Sequence, residues 1–156
     1  MDDGCHIDPE NEAAALRVLV VEDHPANQRL VVAILKPHGY ELVLAENGQE
    51  AYETWEAGEF DMILMDMQMP VMDGLDATRK IRAMEVVSGR GRTPIAMFTA
   101  HAMEDHMTMT RDAGADHHIA KPVTPSNLVD GIAQTLANAE SANGLADDGT
   151  TQSVAS

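Results

Sequence analysis

Five polar residues stand where strand-like runs end: Glu22 and Asp23 after LRVLVV, Asp66 after MILM, Thr99 after PIAMF and Lys121 after HHIA. Brought together, they make a defined chemical set. Three carboxylates crowded into one place repel each other and stay ionised only with a cation among them. Oxygen donors suit a hard ion, and Mg2+ keeps several waters while taking one or two carboxylates and a phosphate. The Lys121 ammonium and the Thr99 hydroxyl donate hydrogen bonds of the kind phosphate oxygens accept. Asp66 can serve as a nucleophile, as a metal ligand or as both, and carboxylates do form aspartyl-phosphate intermediates. The set reads as a phosphoryl site.

The elements that must position these residues alternate between two patterns. Leu16–Val21, Tyr40–Ala45, Met62–Met65, Pro94–Phe98 and His117–Ala120 are short, strand-like runs. Continuous apolar runs, rather than alternating ones, mark a parallel sheet buried on both faces. Pro25–His38 follows the first run as a helix with Leu30, Val31, Ile34 and Leu35 on one face and Gly39 as its stop. Gly48–Ala57, Leu75–Val86 and Glu104–Ala113 are the next helices. Thr124 suits an N-cap and Pro125 the first helical position, and Leu128, Ile132 and Leu136 then recur every four residues. Five such βα units imply one α/β domain: a parallel sheet with right-handed crossovers and helices on both faces. All carboxyl ends then share one edge, where open α/β sheets bind ligands.

Outside this pattern, residues 1–15 read as a disordered leader and residues 138–156 as a flexible tail, which leaves 16–137 as the domain. The formal charge is −16, and residues 16–137 carry 18 acidic and 10 basic side chains, a balance of −8. Phosphate backbones and anionic lipid surfaces repel such a surface, so neither nucleic acid nor a membrane is expected as a partner. The only cysteine, Cys5, excludes a disulfide framework. No run is apolar enough to span a bilayer, and residues 1–15 lack the features of a signal peptide. The expected location is the cytoplasm.

Glu22-Asp23, Asp66 in MDMQMPVMDG, Thr99-Ala100 in MFTAHAM and Lys121-Pro122 in AKPV resemble the receiver domain of two-component response regulators. Their spacings of 43, 33 and 22 residues are similar to those of that family. The wording MDMQMPVMDGLDATRKIR is most similar to receivers attached to hybrid histidine kinases. The resemblance covers about Leu16 to Ala137. It implies the flavodoxin-like doubly wound fold with a five-stranded parallel sheet of order 2-1-3-4-5 and five helices. It also implies a signalling domain in a phosphorelay, not an enzyme with turnover. Asp66 would be the phosphoacceptor, taking its phosphoryl group from a phosphohistidine on a histidine kinase or phosphotransfer protein. Asp23 and Asp66 would bind Mg2+ with the backbone carbonyl of Gln68, and Glu22 would act on the ion through water. Lys121 would hold a phosphate oxygen and Thr99 would swing its hydroxyl onto the phosphoryl group. The Lys121–Pro122 peptide would be cis. The output would be protein binding through the face of the fourth helix, fifth strand and fifth helix, by a monomer or weak dimer.

Some positions depart from that pattern or invite another reading. His118 stands where the family has Tyr or Phe; a smaller ring that ionises near neutral pH implies weaker or pH-dependent coupling to the partner face. Gln68 and His101 fall two residues after Asp66 and Thr99, where the family tunes phosphate lifetime. His117 and His118 are adjacent on a strand and are expected to point to opposite faces. His24 is expected to face solvent, and Gly74 to serve a turn. Ser88–Arg92 is expected to be a solvated loop, and Met103, Met107 and Met109 to belong to the core or to a half-buried surface. Two rival functions remain: a Mg2+-dependent phosphatase with an aspartyl nucleophile, for which Gln68 stands where many such enzymes have a second Asp, and a pseudo-receiver that binds partners without phosphorylation.

Overall fold

Val18–Val21, Met62–Met65 and Ile95–Met97 present no side chain to solvent. A computed structural model gives the arrangement that hides them. It describes residues 16–67, 69, 71–99 and 104–155, with side chains omitted for 104–107 and 141–155. The readings made for residues 1–15, Gln68, His101 and Met103, and for the Met107 side chain, lie outside the described residues.

The elements are β1 (Arg17–Val21), α1 (Pro25–Leu35), β2 (Glu41–Ala45), α2 (Gly48–Ala57), β3 (Met62–Asp66), α3 (Gly74–Ser88), β4 (Ile95–Thr99), α4 (Glu104–Ala113), β5 (His117–Ala120) and α5 (Pro125–Ala155). The five strands are parallel, in the order β2-β1-β3-β4-β5. Successive strand residues face opposite sides, so two cores form. Leu19, Val21, Ile63, Met65, Ile95 and Met97 meet Trp55 of α2 and Leu75 and Ile81 of α3. Val18, Val20, Met62, Leu64 and Phe98 meet Val31 and Leu35 of α1 and Leu128 and Ile132 of α5.

Helix starts follow local hydrogen-bond chemistry. Asn47 and Asp73 accept from the backbone N–H groups of Glu50 and Asp76. The Thr124 N–H donates to Asn127 Oδ1 at 2.7 Å and the Asn127 N–H donates to Thr124 Oγ1 at 3.1 Å, a reciprocal cap of the kind expected at a strong helix start.

Two boundaries differ from the sequence reading. The first helix ends at Leu35, and Lys36–His38 continues as a 3-10 turn. Pro37 has no N–H to give the preceding turn, and Gly39 closes the element at φ 85°. The last helix does not stop at Ala137 but runs to Ala155. Ala139 is buried, and Asn138 Nδ2 donates to the Asp116 carbonyl at 2.8 Å. The Asn, Ser and Gly residues of this stretch suggested a loop, but its many alanines carry the highest helix propensity.

Candidate functional site

The parallel register sets Asp66 beside Phe98 at the end of β3, and Thr99 beside Ala120 at the end of β4. One residue further, the Lys121 N–H donates to the Thr99 carbonyl at 2.8 Å, so Lys121 still follows the ladder. Likewise the Glu22 N–H donates to the Ala45 carbonyl at 3.0 Å and carries the β1–β2 pairing past Val21. Glu22, Asp66, Thr99 and Lys121 therefore share the carboxyl edge, with Asp23 next in the chain. The Lys121–Pro122 peptide is cis, as the resemblance implies.

Burial makes charge balance decisive here. Glu22 is 1% exposed and Asp66 4%. A buried carboxylate without a partner is costly. Lys121 Nζ answers both, 3.2 Å from Asp66 Oδ1 and 3.5 Å from Glu22 Oε1. Thr99 is 1% exposed, and its Oγ1 is buried with no hydrogen-bond partner among the described residues. Native structures seldom leave a buried hydroxyl unpaired. A group bearing acceptor oxygens beside Asp66 and Lys121 would satisfy it, which is what a phosphoryl group offers.

The Asp66 backbone is held from the loop side. The Gly74 N–H donates to the Met67 carbonyl at 2.9 Å, and a Cβ on Gly74 would overlap the Asp66 carbonyl oxygen. Gly74 is thus required by close approach, not by turn geometry, since among the described residues the glycines with positive φ are Gly39, Gly89 and Gly114. In the same loop Val71 holds φ 70° and is exposed. A β-branched residue in this region is uncommon and strained.

The tightest cluster of candidate metal ligands among the described residues is Glu22, Asp23 and His24, whose ligand atoms all lie within 4.8 Å of one another. His24 was expected to face solvent, and its side chain is indeed 69% exposed. Nevertheless Nδ1 lies 3.1 Å from Asp23 Oδ1 and 3.4 Å from Glu22 Oε2. Gln28 Nε2 donates to the Glu22 carbonyl at 2.6 Å and ties the acidic loop to α1. The signal for His24 in the sequence was its place directly after the acidic pair. Carboxylates from β1 and β3 with waters form the donor set that Mg2+ accepts.

His118 does not join this group. It lies mid-strand in β5, paired with Met97. The expectation that His117 and His118 point apart is not met: their rings stack, with centroids 5.3 Å apart and planes 24° apart. β5 is an edge strand, and both residues line one cleft of about 320 Å³ with Asn127, Asp130 and Gln134 of α5. Burial, and then the neighbouring His118, hold the His117 ring below the usual imidazole range. Met109 on α4, expected in the core or half-buried, is instead 41% exposed.

The family model for the response regulator receiver domain matches residues 18–133. The chain is 40% identical over 122 residues to the sensor protein GacS of Pseudomonas syringae pv. syringae, a match covering 78% of this chain but only 14% of that protein. Among solved structures it is similar to the receiver domain of the sensor histidine kinase PA1611 from Pseudomonas aeruginosa (TM-score 0.67, 39% identity, 74% of this chain and 93% of that one), which has a magnesium ion coordinated in the active-site cleft. It is also similar to a structure of the Saccharomyces cerevisiae phosphotransfer protein Ypd1 with the receiver domain of its downstream response regulator Ssk1 (TM-score 0.71, 30% identity, 78% and 92% covered). With this match over most of its length and the acidic, hydroxyl and ammonium groups on one sheet edge, the chain belongs to the response regulator receiver domain family.

Proposed function

We propose that this receiver domain takes a phosphoryl group onto Asp66 from a phosphohistidine of a histidine kinase or histidine phosphotransfer protein. The observation that carries the reading is the buried Asp66 carboxylate held by Lys121 at 3.2 Å, with the Thr99 hydroxyl at the neighbouring strand end unpaired among the described residues. An Asp66 oxygen attacks in line: the O–P bond forms as the P–N bond breaks, and the electron pair leaves with the imidazole nitrogen. Lys121 holds the carboxylate before transfer and a phosphoryl oxygen after it. Thr99 then donates its hydroxyl to the new phosphoryl group. Asp23 and Asp66, with the Gln68 carbonyl and with Glu22 through water, would hold Mg2+, whose charge offsets that of the transferred oxygens.

The domain acts as a signalling module in the cytoplasm rather than as an enzyme with turnover. Phosphorylation biases an existing equilibrium of Thr99, His118 and the α4–β5–α5 face toward a form that binds a downstream protein. Gln68 and His101 set how long the adduct lasts, and the domain is a monomer or weak dimer. The yeast pair of phosphotransfer protein and receiver supports a phosphohistidine donor, and the resemblance to GacS supports a hybrid kinase setting.

Acetyl phosphate with Mg2+, read by intact mass, tests the assignment. Wild type gains one phosphoryl unit and Asp66→Asn gains none. An adduct that survives Asp66→Asn refutes Asp66 as acceptor. A wild type that takes up neither phosphoryl group nor beryllofluoride would instead be a binding module without phosphorylation, and multiple turnover of a small phosphate ester would favour the phosphatase reading.

A further inference from the structure

We propose that the outer edge of β2 is a self-association surface, on which a second copy of this chain lays its own β2 antiparallel about a two-fold axis at Val43. The inference stands apart from the phosphoryl chemistry.

β2 ends the sheet, with β1 beside it on one side only. Natural sheet edges usually carry a device against pairing, such as a lysine, a proline, a bulge or an inward-pointing charge. β2 reads Glu41-Leu-Val-Leu-Ala, and its one charge is turned back onto the domain, with Glu41 Oε2 3.3 Å from Arg17 Nε of β1. The pairing with β1 fixes which backbone groups face outward. The Glu41 N–H donates to the Leu16 carbonyl at 2.8 Å, and the Ala45 carbonyl accepts from the Glu22 N–H at 3.0 Å. Alternate residues of a strand direct their N–H and C=O groups to opposite sides. Glu41, Val43 and Ala45 therefore face β1, and Leu42 and Leu44 turn theirs to the open edge. The same two leucines line a shallow cleft of about 210 Å³ with Val32, Lys36 and Tyr40. Leu44 is 44% exposed.

Charge selects the occupant and its direction. Lys36 is exposed and lines the cleft beside Tyr40, just before β2, and the His38 ring lies 6.3 Å from the Tyr40 ring. Glu46 is exposed and follows the last residue of β2. The edge is thus basic where it begins and acidic where it ends. An antiparallel second copy brings each end against its opposite, whereas a parallel one would match like with like. An axis at Val43 pairs Leu42 with the second copy's Leu44 and Leu44 with its Leu42, and each pair exchanges N–H···O bonds through the outward groups. It also sets Glu46 across from the second copy's Tyr40, on the side of Lys36. The leucines meet over the cleft and bury apolar surface that is wet in the single chain. Such an interface is isologous and closes as a dimer.

Sedimentation velocity of the full chain from micromolar to millimolar concentration measures the association, and circular dichroism checks that each variant keeps its fold. Wild type is expected to pass from monomer to dimer as concentration rises. Leu44→Lys puts on an exposed position the charge that natural edges use against pairing, and is expected to stay monomeric throughout. Lys36→Glu and Glu46→Lys are each expected to weaken the dimer roughly tenfold, because each contact is lost twice in a symmetric pair, and the double variant to recover wild-type association. If Leu44→Lys loses its fold, the two surface reversals decide. A wild type that stays monomeric at millimolar concentration overturns the proposal and leaves the edge to another partner or to solvent. A dimer that survives Leu44→Lys uses a different face and overturns it as well. Single reversals without effect, or a double variant that fails to recover, overturn the antiparallel pairing.

Discussion

Lys121 is the residue on which the charge of the site turns, since one ammonium answers two carboxylates that water barely reaches. The stacked imidazoles of β5 present the opposite problem, two like groups side by side. The His117 ring is held below the usual imidazole range, first by burial and then by His118. In the unfolded chain it titrates near pH 6.5. Between the depressed folded value and about pH 6.5 the unfolded state binds more protons, so stability rises with pH through that window. The deficit is absent above the window and grows as pH falls through it. His117→Gln is expected to flatten the dependence of the melting temperature on pH below about 6.5. Parallel curves for the two proteins would show that the ring contributes nothing. At this scale Glu22, Asp23, Asp66, Thr99 and Lys121 were legible, because each follows a strand-like run and a parallel sheet sends strand ends to one edge. The geometry of His24 and the stacking of His117 on His118 were not. Both depend on how a side chain turns at an open loop or an unpaired strand edge, where the period of the backbone no longer dictates direction.

The edge of the sheet opposite the phosphoryl site is also polar, and one carboxylate joins its elements. Asp116, just before β5, accepts from the Ile95 N–H at 3.0 Å, from Arg82 Nη2 at 2.9 Å and from Arg92 Nη2 at 2.7 Å. Arg82 on α3 also reaches both oxygens of Glu85 and the carbonyls of Gly114 and Thr93. Glu85 in turn accepts from the Thr93 N–H at 2.7 Å, and the Trp55 indole donates to the Thr93 hydroxyl at 3.0 Å. Ser88–Arg92 is therefore not simply a solvated loop. Arg90 lies 4.1 Å from the centre of the Trp55 ring and donates to the Gly58 carbonyl. The sequence shows Gly and Arg in a row but not the carbonyls and carboxylate that the strand starts offer them. Strand identity, by contrast, followed from repeated apolar runs and short βα connections, which the tertiary structure had no reason to override, whereas the order 2-1-3-4-5 was implied by the resemblance to the receiver family. Because Asp116 has a side chain only 2% exposed and its guanidinium partners are partly buried, Asp116→Ala is expected to cost about 3–5 kcal/mol. The urea midpoint measures it. A loss below about 1 kcal/mol would place the network among surface ion pairs of little energetic weight.

For the molecule as a whole, the boundary at which the domain can be cut follows from what α5 touches. The sequence placed the end of the domain at Ala137, where the apolar repeat Leu128, Ile132, Leu136 runs out. The contacts continue for another turn. Asn138 binds the Asp116 carbonyl through Nδ2 and receives Gln134 Nε2 on its Oδ1 at 2.7 Å, and Ala139 is 2% exposed. A chain ending at Ala137 loses the Asp116 contact just below the Arg82–Arg92 network, and it moves the unpaired carbonyls of the helix end into the last buried turn. One ending at Glu140 keeps both residues. A buried hydrogen bond contributes about 1 kcal/mol and the methyl of Ala139 somewhat less. Residues 1–137 are therefore expected to be less stable than residues 1–140 by about 1–2 kcal/mol, read as a lower urea midpoint with the slope unchanged. Equal midpoints would show that the fold closes at Ala137 and that the turn beyond it rides on the domain without holding it.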